Sequence, residues 1–106
     1  MTTVREIFQN MPNTFLPEKA KGVNAVIQFD ITGDGGGQWH AVVDDGKLTV
    51  LEGLHREPGV TLSASAQDYI DISTGKLNGQ LAFMTGRLTA KGKLVLAMKM
   101  QSFFKT

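Results

Sequence analysis

The sequence predicts an α+β fold with five strands in a mostly antiparallel sheet and four helices, and three observations carry that expectation. Residues 23–31 alternate apolar and polar at period two. A glycine-rich turn and an Asp-Asp-Gly turn join that stretch to two further strands. Apolar residues at helical spacing, each group preceded by a capping residue, take up the start, the middle and the end of the chain.

The elements follow in order. Thr3 with Glu6 has capping-box spacing, and Val4, Ile7, Phe8 and Met11 then recur at helical intervals up to Pro12. After a Pro- and Lys-containing connection, Val23, Ala25, Ile27, Phe29 and Ile31 form the clearest strand. The run Gly33-Asp34-Gly35-Gly36-Gly37 turns the chain into a second strand over 38–43, and Asp44-Asp45-Gly46 turns it into a third over 47–52. Residues 54–59, with Pro58 and Gly59, read as a loop before a fourth strand over 60–64. Ser65 then caps a helix carrying Ala66, Tyr69, Ile70 and Ile72, which stops near Gly75 in a left-handed conformation. Asn78 caps a short helix over 79–85 that Gly86 ends, residues 87–91 form a fifth strand, and Gly92 opens a closing helix from Leu94 to Phe104.

A chain of 106 residues holds one core, so residues 1–106 are expected to be one domain. The absence of cysteine excludes a disulfide framework, a thiolate nucleophile and cysteine-based metal sites. The amino-terminal residues meet a charged pair at once, which is unlike a secretory leader. No apolar run approaches the roughly 18 residues that cross a bilayer, and a cytoplasmic protein is the expectation. The net charge of +1 hides an asymmetry: from Lys76 onward there are six basic residues and no acidic one, while the first 75 residues carry a net −5. That basic third reads as a solvated lysine face or as a rim meeting anionic headgroups, a phosphorylated ligand or an acidic partner.

Catalytic and cofactor motifs fail on inspection. The segment from Gly33 to Gln38 lacks the third glycine of a dinucleotide fingerprint and leads into a strand, and Gly86 to Lys93 has the wrong spacing for a phosphate loop. The run beginning at Asp30 has Ala41 where a calcium loop needs a bidentate Glu. Glu52, His55 and Glu57 could form only a weak surface metal site, and no serine near His40 or His55 carries a nucleophile signature. Trp39 belongs to the core, because the basic residues do not interleave with aromatics as in a nucleic-acid surface. No catalytic residue, metal ligand, cofactor or nucleic-acid partner is assigned.

The closing segment is the chemically informative one. Leu94, Val95, Leu96, Ala97, Met98, Met100, Phe103 and Phe104 crowd into eleven positions and cover far more than one helical stripe. Three ways of covering such a helix stay open: packing between sheet and helices, a homodimer interface, or the wall of an apolar ligand cavity. As a dimer face it would be disrupted by Met100→Glu. The flexible Met84, Met98 and Met100 suit an adaptable cavity, and the short Leu81-Ala82-Phe83-Met84 segment between Gly79 and Gly86 has the character of a lid.

In order and spacing, Gly75-Lys76-Leu77, Ala82-Phe83-Met84-x-Gly86-Arg87-Leu88, Gly92 and Leu96-Ala97-Met98-Lys99-Met100-Gln101 resemble the closing half of the sterol carrier protein 2 family. Trp39, the Asp44-Asp45-Gly46 turn and Val60-Thr61-Leu62-Ser63 leading to Asp68 agree more loosely. The resemblance implies a sheet covered on one side by helices, with an apolar tunnel between them for a fatty acid, a fatty acyl-CoA or a sterol. It places Phe83, Met84, Leu96, Met98, Met100 and Phe103 near the tunnel and Gln80 at its mouth. It further implies a non-catalytic lipid-binding or lipid-transfer role, and the basic closing third adds the expectation of transient contact with an anionic membrane surface. Two departures stand out: the chain ends Phe104-Lys105-Thr106 in place of a peroxisomal tripeptide, and Asn78-Gly79 replaces the Asn-Pro of many relatives.

Overall fold

The computed structural model describes residues 2–104. A helix α1 (Val4–Thr14) opens the chain and a 3₁₀ turn (Pro17–Lys19) leads into the sheet. Then come β1 (Asn24–Thr32), β2 (Gly37–Asp44), β3 (Lys47–Glu52), β4 (Val60–Ser65), α2 (Ala66–Ser73), α3 (Gly79–Met84), β5 (Leu88–Gly92) and α4 (Leu94–Met100). A second 3₁₀ turn, Gln101–Phe103, closes the description.

The strands lie in the order β3-β2-β1-β4-β5, antiparallel throughout except where β1 and β4 run parallel. A tight Asp45-Gly46 turn, both residues at positive φ, joins β2 to β3 with Asp44 paired to Lys47. That backbone matches the twist of the hairpin, which is why Asp-Gly sits there. The loop from Gly53 to Gly59 then carries the chain back across the sheet, so that β4 pairs with the free edge of β1.

The alternation in β1 sorts the two faces. Ala25, Ile27, Phe29 and Ile31 are buried on one side, together with Trp39, Ala41 and Val43 of β2 and Val60, Leu62 and Ala64 of β4. Helices cover this face with Val4, Phe8 and Met11 from α1, Tyr69 from α2, and Leu96, Ala97 and Met100 from α4. Phe8 is the centre of the packing: it stacks on Trp39 at 5.0 Å and on Tyr69 at 5.2 Å and meets Phe29 edge-on at 5.0 Å. Arg5 lies over the Trp39 ring and reaches Glu52 with both terminal nitrogens, tying α1 to β3.

The opposite face is held by one polar residue. Gln28, 2% exposed, donates to the Trp39 and Gly53 carbonyls and accepts from the His55 N–H, fastening the 53–59 loop over the sheet. Satisfying every polar atom lets an amide sit buried there.

Several boundaries differ from expectation by a residue or more, and four of these differences have a physical cause in the structure. Helix α1 runs through Pro12 to Thr14, because Met11 is anchored in the core and Pro12 falls in the last turn, where one missing N–H disturbs little. Strand β1 begins at Asn24, since the Val23 N–H turns back to the Ala20 carbonyl. Gly92 ends β5 and Lys93 is the cap of α4. The closing helix is α-helical only to Met100 and tightens into the 3₁₀ turn, which drives Phe103 into a second small cluster with Ala20 and Val43. Lys105 of the basic third lies outside the described residues.

Candidate functional site

The region that sequence reasoning singled out is positioned by a close backbone contact. At Gly92, φ is +105° and an added Cβ would lie 2.5 Å from the Gly59 carbonyl oxygen, so only glycine lets β5 turn there. The next residue, Lys93, donates its N–H to that same carbonyl at 2.9 Å, while the Gly59 N–H bonds to the Val26 carbonyl at 2.8 Å. Helix α4 therefore starts directly above the junction of β1 and β4. The Leu96 side chain presses on Gly59, where a Cβ would meet it at 2.7 Å.

At about 100° per residue, α4 divides cleanly into two stripes. Leu96, Ala97 and Met100 face inward and join the core. Leu94, Val95 and Met98 face outward with Lys99, and Met98 is 71% exposed. Both stripes are apolar, and only the inner one is covered. The far end is pinned by the Leu16 N–H to Phe103 carbonyl bond at 2.7 Å and by the bridge between Phe15 and Phe104.

Helix α3 repeats the pattern in six residues. The Asn78 side chain caps it by accepting from the Gln80 and Leu81 N–H groups. Ala82 alone is buried, while Leu81, Phe83 and Met84 are exposed, Met84 by 80%. Its first residue touches the end of α4: a Cβ on Gly79 would lie 3.3 Å from the Gln101 amide nitrogen.

Of the residues singled out in the sequence, the structure turns Leu96 and Met100 inward and seals Phe103 in the second cluster. It leaves Phe83, Met84 and Met98 on the surface with Gln80 exposed beside them. Met100 faces the core, so Met98 is the residue whose substitution probes an outer interface. Sequence reasoning missed an open hollow of about 390 Å³ beside Leu96, floored by Ala25, Val26, Val42 and Val43 and rimmed by Asn24, Asp44, Glu57 and Lys93. It is an open depression of the surface rather than an enclosed cavity. Its lining comes from four separate segments, so no local motif announces it. A second hollow of about 420 Å³, rich in hydroxyls from Thr32, Ser63, Ser65, Thr85 and Thr89, lies at the other end of β4 with Asp68 and Arg87.

The two histidines, far apart in the chain, meet on the loop-covered face with ring centroids 5.3 Å apart. Their nitrogens serve the backbone: Nδ1 of His40 lies 2.9 Å from the Gly53 carbonyl, to which it donates, and Nδ1 of His55 accepts from the Glu57 N–H. Among the described residues no three His, Asp or Glu side chains converge on a point that could hold a metal ion. Burial pushes the Tyr69 phenol up from its ordinary value, and the neighbouring Ser73 hydroxyl offsets part of that rise.

The sheet carries its helices on one face and is closed by a short helix that is apolar on both sides. The chain belongs to the SCP-2 sterol transfer family, whose pattern matches residues 5–105. It is 32% identical over 104 residues to hydroxysteroid dehydrogenase-like protein 2 of Rattus norvegicus, covering 92% of this chain and 19% of that protein. It is also 34% identical over 91 residues to peroxisomal multifunctional enzyme type 2 of Mus musculus, covering 83% of this chain and 12% of that protein. The chain thus spans a fifth or less of these two curated relatives. Among solved structures it superposes on palmitated SCP2L2 of Aedes aegypti with a TM-score of 0.78 and 26% identity, covering 93% of this chain and 91% of that one. The sec-alkylsulfatase Pisa1 of a Pseudomonas species shares the fold over 99% of this chain and 17% of its own, with a TM-score of 0.85 at 17% identity. The family supports lipid binding or transfer in general terms. Among the described residues no helix is long and apolar enough to cross a membrane.

Proposed function

We propose that residues 1–106 act as one non-catalytic lipid-binding domain that shields or transfers a long-chain lipid, a fatty acid, a fatty acyl-CoA or a sterol-like molecule, in an apolar tunnel between α3, α4 and the sheet. The observation that carries this reading is the pair of short helices with more apolar surface than the core uses. On binding, α4 and α3 shift so that Phe83, Met84 and Met98 join Leu96 and Met100 around the ligand, with Phe103 closing the inner end and Gln80 at the mouth. At about 0.8 kcal/mol per buried CH₂, a long acyl chain supplies on the order of 10 kcal/mol before ordering costs, so no special chemistry is required. The basic third receives an anionic head or a membrane surface, and a cytoplasmic setting fits the absence of cysteine.

Lipid extraction and native mass spectrometry of the purified protein, with titration of a fluorescent fatty acid, test the proposal. Roughly stoichiometric uptake is expected, and a monomer that binds none contradicts it. The exposed outer stripe of α4 favours one second reading, a homodimer closed through that stripe. It requires a ligand-independent dimer that Met98→Glu dissolves.

A further inference from the structure

We infer that Asn78 is a site of self-modification: it is held unreactive while its side chain caps α3, and it converts to aspartate or isoaspartate when that helix opens. Of the four asparagines in the chain, it alone is followed by glycine. It is exposed, and Gly79 has no side chain to screen the backbone nitrogen that does the chemistry. As the first helical residue, Gly79 leaves its N–H without a partner inside the helix.

The step needs only solvent. The Gly79 nitrogen gives up its proton and attacks Cγ of Asn78; a C–N bond forms, the Cγ–Nδ2 bond breaks, and Nδ2 leaves with a proton as ammonia. Water then opens the five-membered imide. Attack at Cγ yields aspartate, and attack at the main-chain carbonyl yields isoaspartate, in which the backbone runs on through Cγ.

The cap controls when this happens. Oδ1 of Asn78 accepts from the Gln80 and Leu81 N–H groups at 2.8 and 3.1 Å, and ψ is held at 130°. Closing the ring brings Cβ and the Gly79 nitrogen to the same side of the Cα–C bond, and at this ψ they stand well apart. Rotation about that bond swings the whole of α3 and breaks both cap bonds. A helix of six residues with Ala82 as its only buried side chain opens readily, because so short a helix is marginal without packing. The two products then differ. Aspartate restores the cap with a charge suited to that end of the helix. Isoaspartate lengthens the backbone by a methylene and leaves both N–H groups without their acceptor, so α3 stays frayed. Either product is the first side-chain carboxylate after Asp71. In the carrier proposed above, a bound lipid that holds α3 down protects Asn78, and this consequence alone rests on that reading.

The test is prolonged incubation of the full chain in warm neutral buffer, with tryptic mapping of the 77–87 peptide and fragmentation that tells aspartate from isoaspartate. Acid should accumulate at residue 78 ahead of the other asparagines, and in urea it should form at least about fivefold faster, once the cap no longer restrains it. Gly79→Pro should abolish it, since proline has no N–H to lose and fits the first helical position after an extended Asn78. In the aged protein, amide exchange at Gln80 and Leu81 should run about fivefold faster than in Asn78→Asp, which keeps the cap. Palmitate should slow the wild-type conversion by a similar factor. Equal rates in buffer and urea, conversion of Gly79→Pro at the wild-type rate, or an intact residue 78 in buffer long after urea has converted it would each overturn the site. A rate that palmitate leaves unchanged, with the proline and urea results as expected, contradicts the carrier reading instead.

Discussion

Tyr69 is the only tyrosine in the chain, and burial holds its phenol above the ordinary value of about 10. The unfolded chain therefore gives up this proton at a lower pH than the folded one. The resulting stability is fully present below about pH 10 and is lost as pH rises toward the folded value, at up to ~1.4 kcal/mol per unit. Tyrosinate absorbance should thus appear together with loss of structure, and Tyr69→Phe should flatten the alkaline slope in denaturant melts. A phenol that titrates near 10 in the folded protein would contradict the burial. Two glycines make a second contrast at this scale. Ala at Gly92 meets backbone and an unfavourable φ, with an expected cost of at least ~2 kcal/mol. Ala at Gly59 clashes only with the flexible end of Leu96, its other neighbour, the Val26 carbonyl, being at an ordinary 3.4 Å, and should cost less than about 1 kcal/mol. Thermal melts of the two variants decide it, and equal losses would place the constraint elsewhere.

At the scale of the element, α4 shows why composition alone could not say what covers a helix. The crowding of Leu94 to Phe104 was legible, but which stripe faces inward depends on where Gly92 aims the chain, and that is set by a contact with Gly59 more than thirty residues away. The 3₁₀ turn that buries Phe103 was equally hidden, because its partners Ala20 and Val43 come from the other half of the chain. The division into stripes makes a direct prediction. Leu96→Ala should cost ~1–2 kcal/mol of stability and reduce fatty-acid uptake, since it removes a half-buried side chain that packs on the core and that the proposal sets beside the ligand. Met98→Ser, on the exposed side, should leave the unfolding midpoint within about 0.5 kcal/mol of wild type. Circular dichroism melts and ligand titration report both, and the reverse ranking would mean that the helix sits the other way round.

For the whole molecule, the period-two pattern of Val23 to Ile31 and the Asp-Gly hairpin were enough to place β1, β2 and β3. The parallel pairing of β1 with β4 was not, because it depends on Gln28 fastening the loop over the sheet. The same long-range closure brings His40 beside His55 and assembles the hollow from Asn24, Val42, Glu57 and Leu96, none of which forms a motif in sequence. The apolar residues of the proposed site were visible as an excess, and their split between core and surface emerged only from the fold. The lipid-carrier proposal accounts for that split: Phe83, Met84 and Met98 lie exposed, and the proposal expects them to gain cover when a lipid chain is bound. The most direct measurement is the titration of a long-chain fluorescent fatty acid into the purified protein, with native mass spectrometry to count what stays bound. The account predicts saturation at about one lipid per chain, displaced by unlabelled fatty acid; a protein that neither carries nor takes up lipid contradicts it.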